Sequence, residues 1–204
     1  MKKHSRLFGI LFWLILWQCT AMLINKRIIL VTPIAAVKRL SELCTEASFI
    51  RTVLNSFLRI GAGFIAGAVI GTVTAALSAR FNAAKAVIDP FMSAVKAVPV
   101  ASFIIFALFF LKSSALSFLI SALMVMPVIY DAVGKGIENA DTKLIEAADI
   151  FALSPYKRVR YLYFPSVMPF LTAAFRTAAG LAFKSGTAAE VIGQPDLTLG
   201  DMLY

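Results

Sequence analysis

No charged residue interrupts Leu7–Ile24, and that run is the first of five apolar blocks separated by short patches of charge, proline and glycine. As an α-helix its 18 residues would reach about 27 Å, close to the ~30 Å hydrocarbon core of a bilayer. A signal sequence has a shorter core of roughly 7–15 apolar residues before a small-residue cleavage site, so an uncleaved span is the favoured reading. The blocks at about 7–24, 53–79, 91–111, 115–130 and 165–183 predict an all-α, polytopic transmembrane helical bundle. Composition agrees: 60% of the 204 residues are hydrophobic and the mean hydropathy is +0.84, against about 45–50% apolar for a soluble domain.

The formal charge of +9 does not indicate nucleic acid, because the basic residues lie between apolar blocks, as Lys and Arg do at the cytoplasmic ends of spans. Lys2, Lys3 and Arg6 place the N-terminus in the cytoplasm. The segment 131–164 is then also cytoplasmic and carries Lys135, Lys143, Lys157, Arg158 and Arg160. The first outer connector carries five basic residues of its own, so the charge rule supports this topology only in part. In that connector Thr32 is placed to cap a helix opened by Pro33, either an amphipathic surface helix or a solvated link. Cys19 and Cys44 lack metal or redox spacing, and the single His4 lies in the basic leader, so no metal site or cofactor is expected. A membrane-embedded enzyme would need a nucleophile and base, or a carboxylate–histidine cluster, at one depth. This chain offers none, and the reading is not an enzyme.

Within the second block, Gly63, Gly67, Gly71 and Ala75 recur every fourth residue and form a nearly smooth helix face, the pattern that lets another helix approach closely. Arg59 near its outer end is read as snorkelling. The third block carries Lys96 and Pro99, and the fourth has Pro127 near its exit; prolines at membrane depth kink a helix and free a carbonyl. The fifth contains Arg176, which must face protein or water. Lys184 and Glu190 follow it, and these three are candidates for lining or gating a path, with structural pairing as the equal alternative.

The stretch EAADIFALSPYKRVRYLYFPSVMP, residues 146–169, is unlike the rest. Asp141 can cap a helix over TKLIEAADIFA, in which Leu144, Ile145, Ala148 and Phe151 share a side. Ser154-Pro155 stops that helix and can open a second, PYKRVRYLYF, with Tyr156, Val159, Leu162 and Tyr163 as its apolar stripe. Two short amphipathic helices between two spans make either a docking knob or a membrane-surface loop.

That segment resembles the EAA loop of permease subunits in binding-protein-dependent ABC importers, whose pattern is Glu-Ala-Ala, three residues, Gly, nine residues, Ile, one residue, Leu-Pro. Here Glu146, Ala147, Ala148, Ala152, Leu162, Phe164 and Pro165 keep the spacing, with Ala152 in place of Gly and conservative swaps of Leu162 for Ile and Phe164 for Leu. TPIAAVKRL, NSFLRIGAGFIAGAVIG, DPFMSAVKAVPVASFIIFALFF and KSGTAAEVIGQ are similar to the nitrate/sulfonate/taurine branch, so the likeness covers nearly the whole chain. It implies one permease domain over 1–204 with a cytoplasmic coupling loop at 141–164 that enters a groove of a separate ABC ATPase. Its contact residues would be Glu146, Ala147, Ala148, Asp149, Ala152, Leu153, Leu162 and Pro165. Glu146 would make the polar contact, the two alanines would permit close approach, and position 152 would form the turn. Ala in a left-handed turn costs roughly 1–2 kcal/mol, so either the bend shifts to Leu153-Ser154-Pro155 or coupling is weakened.

The resemblance also implies a second permease copy, an extracytoplasmic solute-binding protein, membrane lipid around the spans, and a small anion or vitamin precursor as solute. The chain has no phosphate-binding G-x-x-x-x-G-K-[ST] run of its own. The family has one further span after the AAEVIGQ region, so an expected sixth span is missing before Tyr204. The rival readings are an ATP-independent channel or membrane assembly protein, and a non-functional truncated permease.

Overall fold

The computed structural model describes residues 2–24 and 30–203. The expectations placed on the leader side chains Lys2, Lys3, His4 and Arg6, on Lys26 and Arg27 of the first connector, and on Tyr204 fall outside what it describes. Every regular element among the described residues is helical. The chain divides into two compact units, Met1–Arg51 and Thr52–Tyr204.

The first unit contains α1 (Lys2–Ile24) and α2 (Pro33–Leu43). From Leu7 onward, α1 exposes nearly every large side chain, as a helix surrounded by lipid does. Trp17 Nε1 donates to the Val31 carbonyl at 3.0 Å. Thr32 caps α2 by accepting from the Ala35 amide, and Pro33 is its first residue.

The second unit is organised by α3 (Ala47–Arg80), α6 (Ser113–Glu138) and α9 (Phe164–Gly193). Along α3 the buried positions are Thr52, Ser56, Ile60, Gly63, Gly67, Gly71, Ala75 and Ser78, a stripe stepping by three or four residues. The three glycines press directly on α6. A Cβ at Gly67 would come within 2.5 Å of the Ala122 carbonyl and 2.9 Å of Val125 Cβ; Gly63 meets Phe118 and Ser121 in the same way, and Gly71 meets Met126 and Ile129. Contacts at 63, 67 and 71 advance together with 118, 122 and 126, so α3 and α6 run parallel.

The third helix runs antiparallel to both. Gly136 of α6 packs on Val167, while Gly186 packs on Ser121 and Ile60 and Gly193 on Leu116. Ser121 Oγ donates to the Ala182 carbonyl at 3.1 Å, and Phe57 stacks with Phe183 and Phe64 with Phe175. On α9 the row Ala174, Ala178, Ala182, Gly186 and Glu190 is buried at every fourth position. It is a second small-residue face, absent from the sequence expectations. Because lipid is as apolar as leucine, such faces gain by dispersion and close approach.

Parallel α3 and α6 require the chain between them to return across the bilayer. It does so through α4 (Asn82–Ala97) and α5 (Val100–Leu108), which meet at a 99° bend. The sequence expects one span over 91–111. The break falls at Val98 and Pro99, both extended, with ψ of 132° and 135°, because a residue before proline avoids the helical region and proline has no N–H to donate. Three polar pairs tie α4 to α6: Lys85 with Glu138 at 3.3 Å, Lys96 with Asp131 at 2.9 Å, and the Tyr130 hydroxyl, which donates to Asp89. Ile104 and Ala107 of α5 pack with Leu116, Ile120 and Ala189.

Helices long and apolar enough to cross a membrane are therefore Leu7–Ile24, Ala47–Arg80, Ser113–Glu138 and Pro155–Gly193, with the bent pair as a fifth. Several extend past the apolar blocks that announce them; α9 continues ten residues beyond Phe183, the expected end of its span, to Gly193.

Valine at position 67 should force α3 off α6. Melting of the detergent-solubilised protein should fall by several degrees, whereas Gly61→Ala, with nothing within 4 Å of its Cβ, should leave it unchanged.

Candidate functional site

The segment between α6 and α9 begins at Asp141, whose carboxylate accepts from the Lys143 amide at 2.9 Å and so caps α7 (Thr142–Ile150). The helix ends in a double turn: the Ala152 amide donates to Asp149 O and the Leu153 amide to Ala148 O, both at 3.0 Å. This is a Schellman ending, which places the residue after the C-cap in the left-handed region. Ala152 occupies that position with φ of 45°. The bend thus stays at the position where the pattern has glycine and does not migrate to Leu153-Ser154-Pro155.

Ser154 and Pro155 open α8 (Pro155–Arg158), followed by a π-turn over Val159–Tyr163 in which the Phe164 amide donates to the Val159 carbonyl. The sequence expectation of one helix over 155–164 is replaced by this short helix and turn running into α9. Pro165 supplies the reason: in an unbroken α-helix its ring would oppose the Tyr161 carbonyl, and the wider turn relieves that contact.

Burial sorts the sequence-derived site residues into two sets. Ala148 and Leu162 are buried within the protein and Leu153 is half-buried, so they shape the loop. Glu146, Asp149, Ala152 and Pro165 are exposed and Ala147 is half-buried. The expected apolar side of α7 does not close up: Phe151 is 76% exposed, and Ile150 at 81% and Tyr156 at 76% are exposed on either side of the bend. The helical wheel groups Phe151 with Ala148, but the chain has already left the helix at Phe151, the C-cap.

Arg158 is the residue that pattern reading missed. Its Nη2 lies 2.6 Å from Asp149 Oδ1 and donates to the Ala148 carbonyl at 3.2 Å, while Nε donates to the Leu153 carbonyl at 3.1 Å. Asp149 is therefore engaged within the loop. On the page as sequence, Arg158 is one of several basic residues on a stripe; only the turn brings it back over α7.

The path candidates on α9 do not converge. Arg176 and Lys184 are exposed, while Glu190 is fully buried because it continues the small-residue row into the helix interface. Its Oε2 accepts from Ser56 Oγ at 2.7 Å, and Ser56 Oγ in turn accepts from the Leu199 amide at 2.9 Å. Glu190 Oε1 has no hydrogen-bond partner among the described residues. Gly200 lies against the Glu190 carbonyl so closely that any side chain there would overlap it. The Ser56–Glu190 contact thus joins α3, α9 and the segment 195–203. No group of three or more metal-ligating side chains occurs among the described residues.

Two outcomes follow from this geometry. Glycine at 152 relieves the left-handed alanine, less the entropy it adds to the unfolded chain, so Ala152→Gly should stabilise the loop by about 1 kcal/mol, read as slower amide exchange at residues 146–153. Ser56→Ala leaves the Leu199 amide and a buried carboxylate without their partner. It should cost about 1–3 kcal/mol, seen as a lower melting temperature.

Comparison with known proteins bears on this arrangement directly. Residues 60–204 match the family described as binding-protein-dependent transport system inner membrane component. A Bacillus subtilis protein named as an aliphatic sulfonates transport permease is 24% identical over 94% of this chain and 71% of its own length. A Synechocystis protein named as a bicarbonate transport system permease is 26% identical over 74% of this chain and 54% of its own. An ABC transporter permease protein of Methanocaldococcus jannaschii is 21% identical over 93% and 73%. The family is one of transport permeases, not of enzymes, and its members work with ABC ATPase and binding-protein partners in the inner membrane. By the extent of that match and the helices that carry it, the chain belongs to the binding-protein-dependent transport system inner membrane components, as a multi-pass permease.

Proposed function

We propose that this permease couples to a separate ABC ATPase through residues 141–164 and, with a second copy of itself, forms an alternating-access path for a small organic or inorganic anion. The observation that carries the coupling reading is the left-handed turn at Ala152, at the position where the EAA pattern has glycine. Around that turn Glu146, Ile150, Phe151 and Tyr156 are all exposed. A protruding apolar tip beside an acidic side chain suits a groove on a soluble partner: the tip supplies the buried anchor and Glu146 the polar rim. Ala147 and Ala152 add little bulk around it, the buried Leu162 anchors the loop, and the exposed Pro165 opens α9 beside it.

Orientation follows from charge. Because α9 is antiparallel to α3 and α6, the bend lies at the same end of the bundle as Arg80. That end carries Arg80, Lys85, Lys135, Lys143, Lys157, Arg158 and Arg160, a concentration suited to the cytoplasmic side, and in this reading the N-terminus is cytoplasmic as well. Residues 1–204 act as one permease domain in this reading, with lipid against the exposed apolar faces and an extracytoplasmic binding protein delivering solute at the opposite end. The relatives named for sulfonates and bicarbonate support an anionic solute. Arg176 and Lys184, exposed on α9, are the cations we assign to the path; Glu190 is assigned to holding the helix interface.

Reconstituted with an ATPase of this importer class and the cognate binding protein, the wild-type chain should support ATP-dependent uptake of an aliphatic sulfonate or bicarbonate into proteoliposomes. Glu146→Arg combined with Phe151→Asp should abolish uptake and ATPase association while leaving the bundle folded. Uptake that persists without ATP would favour the channel reading instead.

A further inference from the structure

We propose that Arg158, which lies outside the residues of the EAA pattern, is the positioning residue that holds the coupling loop in its docking shape. The inference rests on the coupling reading above and adds to it the device that sets the loop's geometry. One guanidinium reaches three acceptors on the far side of the bend: Asp149 Oδ1 at 2.6 Å, the Ala148 carbonyl at 3.2 Å and the Leu153 carbonyl at 3.1 Å. The two carbonyls flank Ala152, so the side chain closes a ring around the one residue of the loop with positive φ. Only a planar fork with donors pointing in different directions can do this; a lysine ammonium is a point charge on a flexible stem.

The location explains the need. Alanine disfavours the left-handed region that glycine enters freely, so this loop lacks the residue that makes such a bend easy. Arg158 supplies a restraint from the other side of the turn. Its charge also lies at the C-terminal end of α7, where the helix dipole favours a cation. The guanidinium is mostly shielded, at 30% exposure, while Asp149 is 61% exposed, so the carbonyl contacts matter alongside the ion pair, which solvent weakens. Among the described residues Lys157 and Arg160 have no such engagement: Arg160 lies over the Phe164 ring, 5.3 Å from its centroid. By fixing the angle between α7 and α8, Arg158 fixes the relative placement of Glu146, Phe151 and Tyr156. Presenting these groups pre-ordered removes an ordering cost from association.

The test has two arms. In the first, amide exchange is measured on the permease alone in detergent for wild type, Arg158→Ala, Arg158→Lys and Arg158→Ala/Ala152→Gly. Arg158→Ala should speed exchange at Ala152 and Leu153 by about ten- to a hundredfold, the range for hydrogen bonds to a charged group. Lysine should restore part of the protection and the second-site glycine most of it. Unchanged exchange in Arg158→Ala overturns the clamp.

In the second arm, the same variants are titrated with a purified ATPase subunit of this importer class. Affinity should weaken about tenfold or more in Arg158→Ala and recover in the double variant, with bundle melting unchanged. Faster exchange with undiminished affinity overturns the positioning role. If the wild-type chain itself fails to bind, the coupling reading fails, while the exchange data still decide the clamp. Should Arg158→Ala not accumulate, Arg158→Lys and Asp149→Asn carry both arms: each must show intermediate loss, and wild-type behaviour in both overturns the proposal.

Discussion

Backbone-to-backbone approach of α3, α6 and α9 is the constraint on which the second unit depends. In a bilayer, burying leucine against leucine gains little over leucine against lipid, so helices hold together where their axes come close enough for dense dispersion contacts. The glycines of α3 admit the carbonyl edge of α6, and the alanine row of α9 closes the third side. That register decides much else. It sets α3 parallel to α6, which obliges the bent pair α4–α5 to bring the chain back. It also carries Glu190 into the interface, where Ser56 satisfies one oxygen.

What could be read from sequence, and what could not, divides along physical lines. The glycine row was legible because four small residues at one spacing leave a gap in an otherwise bulky helix. Thr32-Pro33 and Asp141 were legible because capping is local: the side chain bonds to an amide two or three residues on. At Ser154-Pro155 the helix start was legible from the proline, and the serine side chain makes no capping bond. The α9 row was missed because its alanines are scattered among Phe, Thr and Leu, and alanine alone does not distinguish a packing face from ordinary helix. The helices α6 and α9 run beyond the apolar blocks that announce them, because hydropathy marks apolar side chains while backbone hydrogen bonding can continue past them. Lys96 and Pro99 were noted in the third block, yet the size of the bend depends on α4 being held to α6 by partners 35 to 53 residues away.

The loop shows the same division more sharply. Spacing alone located the turn, since the Glu-Ala-Ala group and Pro165 bracket it. Replacement of glycine by Ala152 left open whether the bend would move, and it did not: the Schellman hydrogen bonds at Ala148 and Asp149 fix the turn by helix termination, which glycine favours but does not create. Arg158 could not be assigned from pattern, because its role depends on a reversal of chain direction. Nor could the exposure of Phe151, which sits one residue past the point where helical periodicity applies.

The π-turn at Val159–Tyr163 has a geometric consequence for the whole assembly. A π-turn accommodates one residue more than an α-turn, and each residue of an α-helix advances the azimuth by about 100°. The protrusion is joined to α9 through this single irregularity, so its compass bearing around the span axis is set there. Replaced by a regular turn, the same motif would point roughly a quarter-circle away from its present heading. The heading of the loop relative to α9 is thus encoded in the phase of one helical turn, independently of the side chains the loop exposes.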